Sequence, residues 1–129
     1  MILIQNDQTF LVDTKALEQN TQTILNTLDY ADFDISIILI TPEEMQNYNK
    51  QYRDKDKVTD ILSFPYHEIA AGDRIIPETE DDQNLGDIII CPQFVHDDLE
   101  RWGIDFEQRM KVLLVHGICH LLGYDHIED

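Results

Sequence analysis

The sequence predicts a mixed α/β layer protein: one mixed sheet of about four strands, at least one of them antiparallel, packed with helices. Three observations carry this. Short aliphatic runs such as Ile35–Ile40 and Leu85–Cys91 have the composition of buried strands. They alternate with segments whose apolar residues recur at helical spacing, as do Leu17, Ile24, Leu25 and Leu28. Two strand candidates, Thr59–Phe64 and Leu85–Cys91, succeed one another with no clear helix between them, which calls for short-range antiparallel pairing. At 129 residues the chain can build one sizeable core and is too short for two ordinary domains, so residues 1–129 read as one domain.

The elements justify themselves in order. Ile2–Ile4 is a short apolar strand, and Thr14–Leu28 is a helix that Asp13 or Thr14 could cap. Ile35–Ile40, aliphatic except for Ser36, is a buried strand. Thr41-Pro42-Glu43-Glu44 then has the form of a helix start, with a capping hydroxyl, proline in the first turn and acids at the positive dipole end; this helix should reach about Tyr52. Strands at Thr59–Phe64 and Leu85–Cys91 each end at a proline, Pro65 and Pro92. Between them Gly72–Asn84, with Glu78, Glu80, Asp81 and Asp82, reads as a solvated loop, functional or simply mobile, since an acidic stretch poor in apolar side chains offsets little ordering entropy. Pro92–Trp102 and Asp105–Leu122 are the last helices, the second apolar all round in its C-terminal half and therefore central. The order is β-α-β-α-β-β-α-α.

Charge narrows the partners. A formal net charge of −17 repels polyanions over most of the surface, so contact with nucleic acid must be local. The start MILIQNDQTF has neither the basic region of a signal peptide nor the length of a membrane span, and a cytoplasmic location without membrane contact is expected. Cys91 and Cys119 form no CxxC pair and are expected to be reduced, packed thiols.

Chemistry concentrates in residues 115–126, VHGICHLLGYDH, which hold three of the five histidines. His116 and His120 stand four apart on the predicted helix, so their imidazoles share a face. Gly123 is placed to end the helix in a left-handed cap, and the turn through Tyr124 and Asp125 can bring His126 back as a third ligand. Three neutral imidazoles plus water describe tetrahedral zinc with an open position, in a zincin-like cleft. Asp125 could orient an imidazole or serve only the turn. The spacing HxxxHxxGxxH matches the metzincin pattern except that Gly117 stands where those peptidases carry glutamate. With no side chain to take a proton from water, peptidase chemistry by that route is excluded; the glycine serves either close packing or clearance for a bulky substrate. His67 and His96 have no ligand-spaced partner and read as hydrogen-bonded structural residues.

A second cluster inverts the local charge. Lys50–Lys57 holds Lys50, Arg53, Lys55 and Lys57 against two acids, a local net of +2. Alone it would read as a solvated turn. It does not stand alone: the three segments NKQYRDKDKVTDILSFP, LGDIIICP and VHGICHLLGYDH, in this order and spacing, closely resemble the YbeY family of bacterial rRNA maturation factors, metal-dependent endoribonucleases. The resemblance spans roughly Asn49 to His126. It implies that His116, His120 and His126 hold the metal, zinc with nickel or cobalt as alternatives. It also implies that Arg53 is catalytic, with Lys50 and Lys57 beside it as substrate contacts. The substrate implied is single-stranded or ribosomal RNA, cut during small-subunit maturation and ribosome quality control in company with the small subunit and its assembly factors; no DNA substrate is expected. The nucleophile is then a metal hydroxide or the RNA 2′-hydroxyl.

Two other readings compete: a metzincin-like metallopeptidase, and a non-catalytic ribosome assembly factor with a structural metal. The peptidase needs a carboxylate in place of the missing glutamate, for which Asp60 and Asp87 are the candidates. For Arg53 the competing role is a surface ion pair with Asp54 or Asp56.

Overall fold

The computed structural model describes residues 1–124. Four strands, β1 (Ile2–Asn6), β2 (Asp34–Leu39), β3 (Ile61–Pro65) and β4 (Asn84–Ile90), form one sheet in the order β1-β2-β4-β3. β1, β2 and β4 run parallel, and β3 pairs antiparallel with β4 at the edge, with Ile61 opposite Ile90 and Pro65 opposite Gly86. The four-stranded mixed sheet expected from the sequence is therefore the one that forms, with β3 as its antiparallel strand. Strand limits differ from the expectation by one or two residues, where hydrophobicity says less than the hydrogen-bond ladder.

Alternation along the strands splits the core into two faces. Ile35, Ile37, Leu39, Ile88 and Ile90 meet Leu17 and Leu25 of α1 (Thr14–Thr27) and Met110, Leu113, Leu114, Ile118 and Leu121 of α4 (Phe106–Leu121). On the opposite face Leu62, Ile89, Ile40 and Cys91 pack with Met45 of α2 (Pro42–Arg53). Each such side chain, fully buried, contributes about 1.5–3 kcal/mol of transfer free energy, so the sheet is held from both sides. Among the described residues no helix is long and apolar enough to cross a membrane.

Helix starts follow local chemistry. Asp13, rather than Thr14, caps α1 by accepting from the Ala16 N–H at 3.0 Å. Thr41 caps α2 with Pro42 at its first turn. Asp105 and Gln108 form a reciprocal capping box at the start of α4, at 2.8 and 3.2 Å.

Two segments depart from the expectation. The single helix expected over Pro92–Trp102 is broken: α3 (Pro92–Asp97) gives way to a 3-10 turn at Leu99–Arg101. The tighter turn brings Trp102 over the Arg109 guanidinium, 3.6 Å from the ring centroid, a contact that helical periodicity cannot reveal. The acidic segment after Gly72 is pinned. Ile75 is buried in the larger core, its N–H donates to the Tyr30 hydroxyl at 3.1 Å, and Arg74 lies over the Tyr30 ring and donates to the Leu28 and Asp29 carbonyls. A single apolar side chain and one arginine anchor a stretch whose composition alone suggested mobility.

Both cysteines are free, Cys91 buried and Cys119 half-buried, and burial pushes both thiols above the usual range. These are packed thiols rather than nucleophiles.

Arg109, 5% exposed, is the one charged side chain buried among the described residues, and its Nη2 donates to Asp60 Oδ2 at 3.1 Å. Removing that partner leaves a buried cation with only the Trp102 face. Asp60→Ala is expected to lower unfolding free energy by about 1–3 kcal/mol in urea denaturation, and Asp60→Asn by less. Parent-like stability of Asp60→Ala would show that the pair merely breaks even.

Candidate functional site

The site is built where α4 ends. His116 and His120 lie one turn apart on its last two turns, His116 exposed and His120 half-buried. Between them Gly117 faces the sheet: a Cβ there would stand 3.0 Å from Ile61 Cδ1, 3.0 Å from Ile88 Cδ1 and 3.3 Å from Ser63 Oγ. The missing side chain therefore lets the helix backbone seat against β3 and β4. Of the two roles open to this glycine, close packing is the one the surroundings support, because the space is filled by the protein's own side chains.

The helix stops in a complete Schellman arrangement. The Gly123 N–H donates to the His120 carbonyl and the Tyr124 N–H to the Cys119 carbonyl, both at 3.1 Å, with Gly123 at φ 95°. A Cβ at 123 would fall 2.3 Å from the Ile69 carbonyl oxygen, so a side chain is barred by both conformation and contact. The left-handed cap expected at Gly123 is present. His126 and Asp125 lie outside the described residues.

An open cavity of about 520 Å³ adjoins this end of the helix, lined by Pro65, His67, Glu68, Ile69, His120 and Gly123. It is bounded by α4 on one side and by the segment leaving β3 on the other. Among the described residues no group of three or more His, Cys, Asp or Glu side chains is gathered to hold a metal, and the expected zincin-like cleft is not displayed by them. They include two of the three histidines expected as ligands, His116 and His120. Their chemistry fits zinc: two imidazole donors at i and i+4 on one helix, one of them at a cavity.

The basic cluster sits across the sheet edge. Arg53 is the last residue of α2 and is half-buried. Beside it the Tyr52 ring stacks on Tyr48 and meets Phe64 of β3 edge-on at 5.1 Å. α2 and α4 thus press on opposite faces of the same edge strand, one through Phe64 and the other through Ile61 and Ser63. Lys50 pairs with Asp56 at 3.9 Å in solvent, and Lys57 is exposed; neither lines the cavity. The turn that carries Lys55 and Lys57 is nevertheless tied down, because fully buried Asn49 donates from Nδ2 to the Lys57 carbonyl at 2.9 Å.

His67 is hydrogen-bonded as the sequence reading expects, and it also stands at the cavity. Its Nε2 donates to the Asp82 carbonyl at 2.7 Å, as a structural histidine should, yet the ring also lines the cavity with His120. No spacing rule could have joined two residues so far apart in the chain. His96 packs on Phe10 and beside Asp97 at the surface. Both candidates for the carboxylate a peptidase would need are placed elsewhere: Asp60 is engaged by Arg109, and exposed Asp87 pairs with Phe64 on the α2 side of the sheet.

Gly123→Ala should lower the melting temperature by several degrees, since it forces a Cβ into a left-handed position against a carbonyl, a cost of about 1–3 kcal/mol. An unchanged melting temperature would mean that the helix end relaxes freely.

Comparison with known proteins agrees with this architecture. The family described as Endoribonuclease YbeY matches residues 3–129. A Staphylococcus epidermidis protein named Endoribonuclease YbeY is 40% identical over 132 residues, covering 96% of this chain and 82% of the relative. One of the same name from Caldicellulosiruptor saccharolyticus is 35% identical, covering 99% of this chain and 85% of its own length. Among solved structures, the solution structure of TM1509 from Thermotoga maritima is similar with a TM-score of 0.63 and 28% identity, over 98% of this chain and 75% of that one. With a match over nearly its whole length and relatives this similar, the chain belongs to the YbeY family.

Proposed function

We propose that this chain is a metal-dependent endoribonuclease that cuts single-stranded RNA in the cytoplasm, during maturation of the small-subunit rRNA and its quality control. The observation that carries the reading is the placement of His116 and His120 on the last turns of α4, His120 at a cavity by the edge strand that α2, with Arg53 at its end, packs from the other face. The names of the relatives supply the reaction class.

His116, His120 and His126 would hold the metal, zinc or else nickel or cobalt. When bound, it supplies a Lewis acid that polarises a phosphoryl oxygen. The chain's own contributions are distinct. The helix holds two imidazoles in register through the packing at Gly117. Arg53 presents paired N–H donors to a phosphate and neutralises charge that builds in the transition state. Lys50 and Lys57 add a local positive field on a chain of net charge −17. So small a basic footprint supports only weak affinity for naked RNA, and a ribosomal partner would supply the rest. No observation favours the peptidase, since Gly117 is occupied with packing and neither Asp60 nor Asp87 is at the cavity.

The test uses the full chain loaded with zinc, a single-stranded RNA under single-turnover conditions, and metal content measured on the same samples. Arg53→Ala is expected to keep its metal while cleavage falls by about 10² to 10³, with Arg53→Lys recovering only part, because an ammonium cannot reproduce the paired bonds. Parent-like cleavage by fully metallated Arg53→Ala would remove Arg53 from the active site, and a metallated parent that cuts no RNA would overturn the proposal.

A further inference from the structure

His67 has no part in the chemistry described so far, yet it shares a cavity with His120. Its hydrogen bond fixes what it can do there. The Asp82 carbonyl only accepts, so the nitrogen facing it, Nε2, carries the hydrogen. In the neutral imidazole the other nitrogen, Nδ1, is then a bare acceptor, and no donor among the described residues reaches it. The neighbouring wall has the same character, since the Glu68 carboxylate is an acceptor and is exposed beside His67. Among the described residues the cavity lining contains no lysine or arginine.

Apart from the metal that His120 would help to hold, the His67 and Glu68 wall offers acceptors and no cation of its own, and so disfavours phosphate, which is itself an acceptor and an anion. Of the groups in an RNA backbone, only the ribose 2′-hydroxyl can donate, and every nucleotide carries one whatever its base. We propose that this cavity is a ribose subsite, in which His67 Nδ1 accepts a hydrogen bond from an RNA 2′-hydroxyl. The phosphates keep to the metal and to the basic residues around Arg53 rather than to this wall. His67 is on this account the residue that separates RNA from DNA, by offering an acceptor that deoxyribose cannot satisfy. The inference rests on the ribonuclease reading and adds to it the part of the substrate that the cavity holds.

The experiment measures binding of a fluorescein-labelled all-ribose oligonucleotide and the all-deoxyribose oligonucleotide of matching sequence to the zinc-loaded full chain. Stopped-flow anisotropy reads the binding ahead of cleavage, and cleavage of the RNA is followed on the same samples. The parent is expected to bind RNA about tenfold more tightly than DNA, the scale of one satisfied hydrogen bond. His67→Ala should bring RNA affinity down to the DNA level and leave DNA affinity unchanged. His67→Asn, whose carboxamide oxygen can accept from near the Nδ1 position, should recover part of the preference. A merely structural role for His67 would weaken RNA and DNA alike, and that result, or a ribose preference that survives in His67→Ala, would overturn the subsite. Failure of the two proposals is distinguishable: a parent that cuts no RNA contradicts the ribonuclease reading, whereas a cutting parent without a His67-dependent ribose preference contradicts the subsite alone.

Discussion

The approach of α4 to the sheet at Gly117 is the contact on which the rest of the site depends. The helix backbone comes close enough that an added Cβ would press on Ile61, Ile88 and Ser63 together, so the helix is located by β3 and β4 at the residue between the two histidines. Ile118 beside it and Leu121 one turn further on are fully buried, and the Gly123 cap ends the helix against the Ile69 carbonyl. His120 is therefore held at the cavity by packing on either side of it. A helix standing off by the width of a side chain would carry both imidazoles away from the β3 edge and from the segment holding His67.

Charge is arranged around that seat with economy. The chain carries 26 acidic and nine basic residues, and four of the basic ones fall within Lys50–Lys57. The buried side chain of Asn49 ties that stretch to α2, so the basic residues are presented by an ordered turn despite their exposure. Arg109 is withdrawn from any such role by Asp60 and Trp102. Local positive field on one side of β3 and acceptors on the other would orient a polyanion that the remaining surface repels.

Much of this was legible in the sequence, for reasons that particular residues make clear. The aliphatic runs at Ile35 and Leu85, the Thr41-Pro42 start and the Gly123 stop are local signals, and each produced its element nearly where expected. The antiparallel β3 followed from the absence of a helix before β4. Local signals also reached the histidine pair on α4, because i and i+4 share a helix face. What escaped depends on contacts distant in the chain. Trp102 lies on Arg109 where its helix breaks, Ile75 anchors an acidic loop in the core, and His67 comes to the same cavity as His120 only because an edge strand delivers it. The role of Gly117 belongs to the same group, since glycine in a helix announces a constraint without saying whether substrate or sheet imposes it.

Equilibrium urea unfolding of Gly117→Leu tests the central claim most directly, because the two accounts give opposite signs. Leucine is the better helix former by about 0.6–0.8 kcal/mol, so a helix whose close approach were dispensable would gain stability from it. If α4 must seat its backbone on Ile61 and Ile88, four extra carbons have no room, and overpacking is expected to lower stability by about 1–3 kcal/mol despite the gain in propensity. A variant more stable than the parent would contradict the account.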